Sequence, residues 1–136
     1  MIRRDLILGA TVLGLLPFLP RTARAEGMIN FAPGLVATRL AAGETVFLDF
    51  SATWCSTCRA QGRIIESLRQ GNAAYDSAMT FVRVDWDQYG RSDFTQSHSI
   101  PRRSTLVLLR GEAELGRVVA STREDDIRAL MDLALA

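Results

Sequence analysis

The sequence contains no lysine: all 16 basic residues are arginines, set against 15 acidic ones, for a net charge of +1. The arginines scatter along the whole chain, so their exclusivity reads as coding bias rather than as a basic tract. No large positive field exists, and binding to nucleic acid has no electrostatic basis. Histidine occurs once, as His98, and cysteine twice, as Cys55 and Cys58. These are too few for a Cys/His zinc site, and a cysteine hydrolase would hang on His98 alone. Repeats, low-complexity tracts and a composition break that would mark a second domain are also missing. What remains is 136 residues, 48% hydrophobic and 23% charged. That is the balance of one globular domain. It excludes a wholly disordered chain, a collagen-like fibre and a disulfide-rich miniprotein.

Residues 1–25 stand apart from the rest. Arg3 and Arg4 form a positive start, Leu6 to Pro20 is apolar, and Ala23-Arg24-Ala25 is a small-x-small site. This is the three-part pattern of a secretory signal peptide cut after Ala25. A retained membrane anchor is the alternative, but a span needs roughly 20 apolar residues, and Pro17 and Pro20 interrupt this run. Arg3-Arg4-Asp5-Leu6-Ile7 is similar to the twin-arginine export signal, which implies a bacterial protein that crosses the inner membrane folded. Removing Arg3, Arg4, Arg21, Arg24 and Asp5 takes the charge from +1 to about −2. The expected division is a signal peptide, 1–25, and one domain, 26–136.

Within that domain, Gly34 to Ala42 is a short helix candidate with Pro33 near its first turn. Thr45 to Ser51 reads as a buried strand with Asp49 as the odd residue in it. Ser56 to Gln70 reads as a helix ended by Gly71. Met79 to Trp86 alternates in a strand pattern, with Trp86 packed under the sheet, and Arg91 to His98 is a short helix that places His98 at its end. Thr105 to Leu109 is an apolar strand, Gly111 a turn, and Glu114 to Ala120 a further strand. Ser121 and Glu124 have the spacing of a capping box. Behind them Ile127, Leu130, Met131 and Ala134 form one helical stripe, most simply core packing. The order α-β-α-β-α-β-β-α implies two β-α-β crossovers, then a hairpin and a packing helix. The expected class is α/β, a mixed central sheet flanked by helices on both faces.

The chemistry lies where the first long strand hands over to a helix, in Phe50-Ser51-Ala52-Thr53-Trp54-Cys55-Ser56-Thr57-Cys58. Two residues between cysteines at a helix start bring both sulfurs within disulfide reach. Cys55 then meets unpaired N–H groups and the positive end of the helix dipole, which lower a thiol pKa to about 3.5–7.5. It can attack a disulfide, and Cys58 can resolve the mixed disulfide. A purely structural disulfide and a metal or cluster ligand pair remain as alternatives. The first is weakened because so small a loop constrains the unfolded chain little.

The sequence here resembles the thioredoxin family. The residues that carry the resemblance are Phe47-Leu48-Asp49-Phe50, Ala52, Trp54-Cys55-Ser56-Thr57-Cys58, Val84-Asp85-Trp86-Asp87 and Thr105-Leu106-Val107-Leu108-Leu109. It covers residues 28–135 and implies a thioredoxin fold and thiol–disulfide oxidoreductase activity. By the same match Cys55 is the nucleophile, Cys58 the resolving thiol and Trp54 the residue flanking them. Asp49 matches the buried carboxylate beneath the resolving cysteine, where desolvation raises its pKa and suits it to accept a proton. Arg83 matches the basic partner on the neighbouring strand; an exposed strand arginine is the plainer alternative. No cofactor beyond the Cys55–Cys58 disulfide is implied, and no metal.

Three departures from the family pattern bear on function. Thioredoxins carry a cis-proline just before the strand that faces the cysteines, and counting back from Thr105 that position is Ser104. Either the loop shifts so that Pro101 does the job, or Ser104 replaces it; the spacing favours Ser104. Arg103 would then offer its backbone to an extended substrate strand. The pair Ser56-Thr57 is neither the Gly-Pro of thioredoxins nor the Pro-His of the strong oxidants. The kinking proline of the active-site helix is missing, and Gly62 lies beside its place. Arg59, Arg102 and Arg103 can surround the sulfurs and attract acidic partners, or form a solvated surface. The resulting expectation is a periplasmic reductant of protein disulfides, monomeric, fed by a membrane carrier of thiol electrons and acting on protein clients. The competing expectation is a binding or sensor module for a peptide or a metal with little turnover, since in the family the proline ring shields the cysteines from metal ions.

Overall fold

The computed structural model describes residues 27–136. The expected signal peptide and its cleavage site lie outside the described residues. Five strands form one sheet in the order β1-β3-β2-β4-β5. They are β1 (Ile29–Asn30), β2 (Thr45–Ser51), β3 (Thr80–Asp85), β4 (Thr105–Arg110) and β5 (Ala113–Val119). β3 is parallel to both β1 and β2, whereas β4 is antiparallel to β2 and β5 to β4. The helices are α1 (Leu35–Ala41), α2 (Ser56–Gly71), α3 (Ala74–Ala78), α4 (Trp86–Tyr89), α5 (Asp93–Ser97) and α6 (Glu124–Asp132), followed by a 3-10 turn at Leu133–Leu135.

The period of two along each central strand divides its side chains between two cores. Phe47, Phe81, Leu106 and Leu108 face Ile65 and Leu68 of α2 and Ile127, Leu130 and Met131 of α6. Val46, Leu48, Phe50, Val82, Val84, Val107 and Leu109 face Phe31 and Val36 on the opposite side. Burial on both faces explains why β2 and β4 read as continuous apolar runs. The same alternation puts Asp49 and Arg83 on the α2 face, in register with one another. A carboxyl is thereby held beneath the first turn of α2.

The sheet corrects several expectations. The chain makes a parallel crossover from β2 through α2 to β3, as expected, but β3 to β4 is not a second one. β4 lies beyond β2 and runs antiparallel to it. The other parallel crossover is β1-α1-β2, because the two residues of β1, which the sequence pattern does not mark as a strand, pair with β3 through Ile29 and Asn30. Met79–Trp86 is trimmed at both ends. Asp85 caps a new helix by accepting the Asp87 N–H, and Trp86 opens α4 rather than ending the strand. Trp86 is half-buried, against both the second core and the cysteine pair. α3 carried no expectation; it buries Tyr75, whose hydroxyl donates to Asp132 at 2.5 Å. The capping box at Ser121 and Glu124 does not form. Arg123 is the N-cap, and the Ser121 hydroxyl accepts the Arg123 N–H and donates to Asp126. The start of α1 needs Gly34, whose φ of +84° suits glycine alone. α2 passes through Gly62 as one helix and includes Gly71, with Asn72 as its C-cap.

Candidate redox site

β2 ends at Ser51, and the chain turns through Ala52 to Trp54 before α2 begins. Cys55 is the N-cap of α2, with extended φ and ψ of −87° and 113°. Its sulfur accepts the Cys58 N–H at 3.2 Å, so it occupies the place of an ordinary capping oxygen. Cys55 and Cys58 form a disulfide with Cα atoms 5.2 Å apart, and both are buried. The sulfur most exposed to the helix dipole is therefore that of the cap residue, and its partner sits one turn inside.

Ser104 closes the site from the other side. It is fully buried, its φ is +64°, and its hydroxyl lies 3.3 Å from the Cys55 sulfur and 3.1 Å from the Cys58 sulfur. Its N–H donates to the Phe50 carbonyl at 2.7 Å, and its carbonyl accepts the Ala120 N–H at 2.8 Å. No peptide bond among the described residues is cis. Pro101 is exposed, and the place against both sulfurs is taken by Ser104. The alternative that placed it against the sulfurs does not hold, because the loop meets β4 without the shift it required.

Asp49 is 1% exposed, and its Oδ1 has no hydrogen-bond partner. Burial raises its pKa to about 6, against the opposing pull of the Arg83 guanidinium. Arg83 is itself exposed and reaches the Met28 sulfur at 3.9 Å. Arg83 is thus a solvent-facing arginine whose charge still acts on Asp49. Asp49 and Cys58 line a cavity of about 610 Å³ together with Arg59, Gly62, Arg63 and Arg83. It offers room for water between the carboxyl and solvent.

Trp54 is 55% exposed beside the disulfide. Its indole N–H is shared by both Asp87 carboxylate oxygens, at 3.0 and 3.1 Å, and the Arg103 guanidinium stacks 4.4 Å from its ring. The Arg103 carbonyl accepts Arg102 Nε at 3.0 Å. Arg59 turns back to the Thr53 carbonyl, at 2.9 Å. His98 is the C-cap of α5, its ring against Phe94. Burial lowers its pKa. Gln61 received no role from the sequence. It is fully buried on α2, and its amide nitrogen donates to the carbonyls of Ser104 and Ser121, both at 3.0 Å. The signal that could have marked it is its place in the stripe Cys58, Gln61, Ile65, Leu68, where every other member is apolar. Among the described residues no group of three or more potential metal ligands gathers.

Comparison with known proteins decides the ancestry of this arrangement: the family model of thioredoxin matches residues 35–133. The chain belongs to the thioredoxin family. It is 30% identical to the mitochondrial Thioredoxin-2 of Schizosaccharomyces pombe over 96 residues, covering 71% of this chain and 65% of that protein. It is 34% identical to Thioredoxin-2 of Saccharomyces cerevisiae over 83 residues, covering 60% and 74%. Among solved structures, Trxlp from Edwardsiella tarda superposes with a TM-score of 0.64 at 25% identity, covering 79% of this chain and 98% of that one. The Malassezia sympodialis thioredoxin superposes at 0.63 and 21% identity, over 84% and 99%. The matched part spans 65%, 55% and 54% of the length of the first curated relatives. The thioredoxin fold accounts for the mixed five-stranded sheet. Within the family pattern this chain departs at Ser104 and at Ser56-Thr57.

Proposed function

We propose that this thioredoxin-family protein is a thiol–disulfide oxidoreductase that reduces protein disulfides after export to the periplasm. The observation that carries the reading is the position of the Cys55 sulfur at the start of α2, where it accepts the Cys58 N–H. A thiolate there is stabilised by the helix dipole and by the same N–H. In the reduced protein the Cys55 thiolate attacks one sulfur of a client disulfide. One Cys55–client bond forms as the client bond breaks and expels a client thiolate. Cys58, its proton passed to Asp49, then attacks the Cys55 sulfur and expels the second client thiolate. Two electrons have moved to the client, and the Cys55–Cys58 disulfide is restored. Trp54 and the Arg103 backbone form the edge along which an extended client lies.

Export rests on the sequence of residues 1–25, whose paired arginines and apolar run suit the twin-arginine route. In that compartment oxidation is served by dedicated strong oxidants, and this chain lacks their Pro-His pair. A reductant there needs a membrane donor of thiol electrons. Ser104 favours a second reading, because a hydroxyl rather than a ring covers the sulfurs. On that reading the protein is a binding or sensor module with little turnover. Reduction of insulin disulfides driven by dithiothreitol separates the two. Multiple turnovers that vanish in Cys55→Ser support the oxidoreductase; no acceleration over dithiothreitol alone overturns it.

A further inference from the structure

Ser104 is a non-glycine residue in the left-handed region, a conformation that costs about 1–3 kcal/mol and persists only where its surroundings over-determine it. Three elements do so here. The end of β2 takes its N–H through Phe50, Ala120 just past β5 supplies its N–H to the Ser104 carbonyl, and α2 supplies the Gln61 amide to the same carbonyl. Gln61 uses its second amide hydrogen on Ser121, which follows β5. One buried side chain thus ties the loops on either side of the β4–β5 hairpin to the helix that carries both cysteines. The orientation of the amide follows from its neighbours: turned over, its oxygen would face two carbonyls. The other end of the amide, Gln61 Oε1, has no hydrogen-bond partner although it is buried. Burying an unsatisfied acceptor is costly, so an apolar residue at this place in the Cys58–Leu68 stripe would be the cheaper choice for packing alone.

We propose that Gln61 is a positioning residue for the redox pair: its amide fixes the Ser104 turn so that the Ser104 hydroxyl faces both sulfurs. Gln61 does not touch the sulfurs. It acts through Ser104, and the proposal rests on the reading of Cys55–Cys58 as a reversible redox couple. A disulfide sulfur is a weak acceptor and a thiolate a strong one. The hydroxyl therefore stabilises the reduced form more than the oxidised form, and whatever holds the hydroxyl in place favours reduction of the pair.

The test is a double-mutant cycle read by redox equilibrium with glutathione, in which one protein disulfide and two glutathione thiols give one protein dithiol and one glutathione disulfide. Ser104→Ala should move the equilibrium toward the protein disulfide by about tenfold, which is about 30 mV for a two-electron couple. Gln61→Met keeps the size and shape of the side chain but donates nothing. It should move the equilibrium about threefold in the same direction, and should add nothing in the Ser104→Ala background. If the methionine variant does not fold, Gln61→Glu serves in the cycle, because a buried neutral carboxyl can donate to only one of the two carbonyls. Equal shifts in both backgrounds, or no shift in either, would show that Gln61 only supports the fold and would overturn the proposal. A wild-type pair that does not titrate at all would overturn the redox reading itself, and this proposal with it.

Discussion

Asp49 is the residue whose environment makes the sharpest demand on experiment. It carries a carboxyl on a strand buried on both sides, with one oxygen unpartnered and a pKa of about 6. Because the folded state holds this proton more tightly than the unfolded chain, whose value is 3.8, stability falls as pH rises through about 4 to 6. The loss amounts to about 3 kcal/mol once the group is ionised in both states. Asp49→Asn should therefore stabilise the fold by an amount of that order above pH 6 and by nothing below pH 4, as read by urea midpoints across pH. On the proposed function the same substitution also removes the group that takes the Cys58 proton. Turnover should slow about tenfold or more, while single-turnover formation of the Cys55 mixed disulfide stays nearly unchanged. Equal turnover of both proteins from pH 6 to 9 would sink this role. Asp49 was legible in the sequence because a carboxylate inside an apolar strand stands out. Gln61 was not, because an amide within a helix is common and its partners, Ser104 and Ser121, lie 43 and 60 residues away.

At the scale of elements, the long and strongly patterned segments were readable, and the short ones were not. β2, α2, β4 and α6 bury whole faces, so their periodicity is dictated by the cores they fill. β1 has two residues and α3 five, and their existence depends on what they meet rather than on their own pattern. The capping box failed for a local reason: the Ser121 hydroxyl is engaged with Asp126 and Arg123, so the chain enters α6 two residues later. The placement of Cys55 as the N-cap of α2 and of Cys58 in its first turn has a direct consequence. Cys58→Ser should accumulate mixed disulfides through Cys55, and Cys55→Ser should not, as seen on non-reducing gels. Faster alkylation of Cys58 than of Cys55 in the reduced protein would reverse the assignment. The turn at Ser104 also limits what can be exchanged there. A proline needs φ near −65° and has no N–H, whereas Ser104 has φ +64° and donates to Phe50 at 2.7 Å. Restoring the family's proline by Ser104→Pro should thus cost about 3 kcal/mol or more, measured by urea unfolding. A variant as stable as the wild type would show that this loop rearranges freely.

For the whole molecule, the rim beside the disulfide is basic on one side, where Arg102 and Arg103 lie. Trp54 lies between the Asp87 carboxylate and the Arg103 guanidinium, and Arg102 Nε donates to the Arg103 carbonyl, which on the proposed function lies along the client's path. Arg103→Ala leaves that backbone in place and removes one positive charge from the rim. It should raise KM for an acidic client peptide about threefold with kcat unchanged, and the difference should shrink in 0.5 M salt, where screening is strong. Equal effects on acidic and basic peptides would mean that the guanidinium only supports Trp54. The central claim is that Cys55 and Cys58 form a reversible two-electron couple that gives electrons to clients. Its most direct test is titration of the purified protein in dithiothreitol buffers, followed by thiol alkylation and mass. The account predicts a single two-electron transition nearer to the potential of thioredoxin, about −270 mV, than to the about −120 mV of the strong periplasmic oxidant. A transition at the oxidant's end of that range would contradict the direction of electron flow, and no reversible transition would contradict the claim itself.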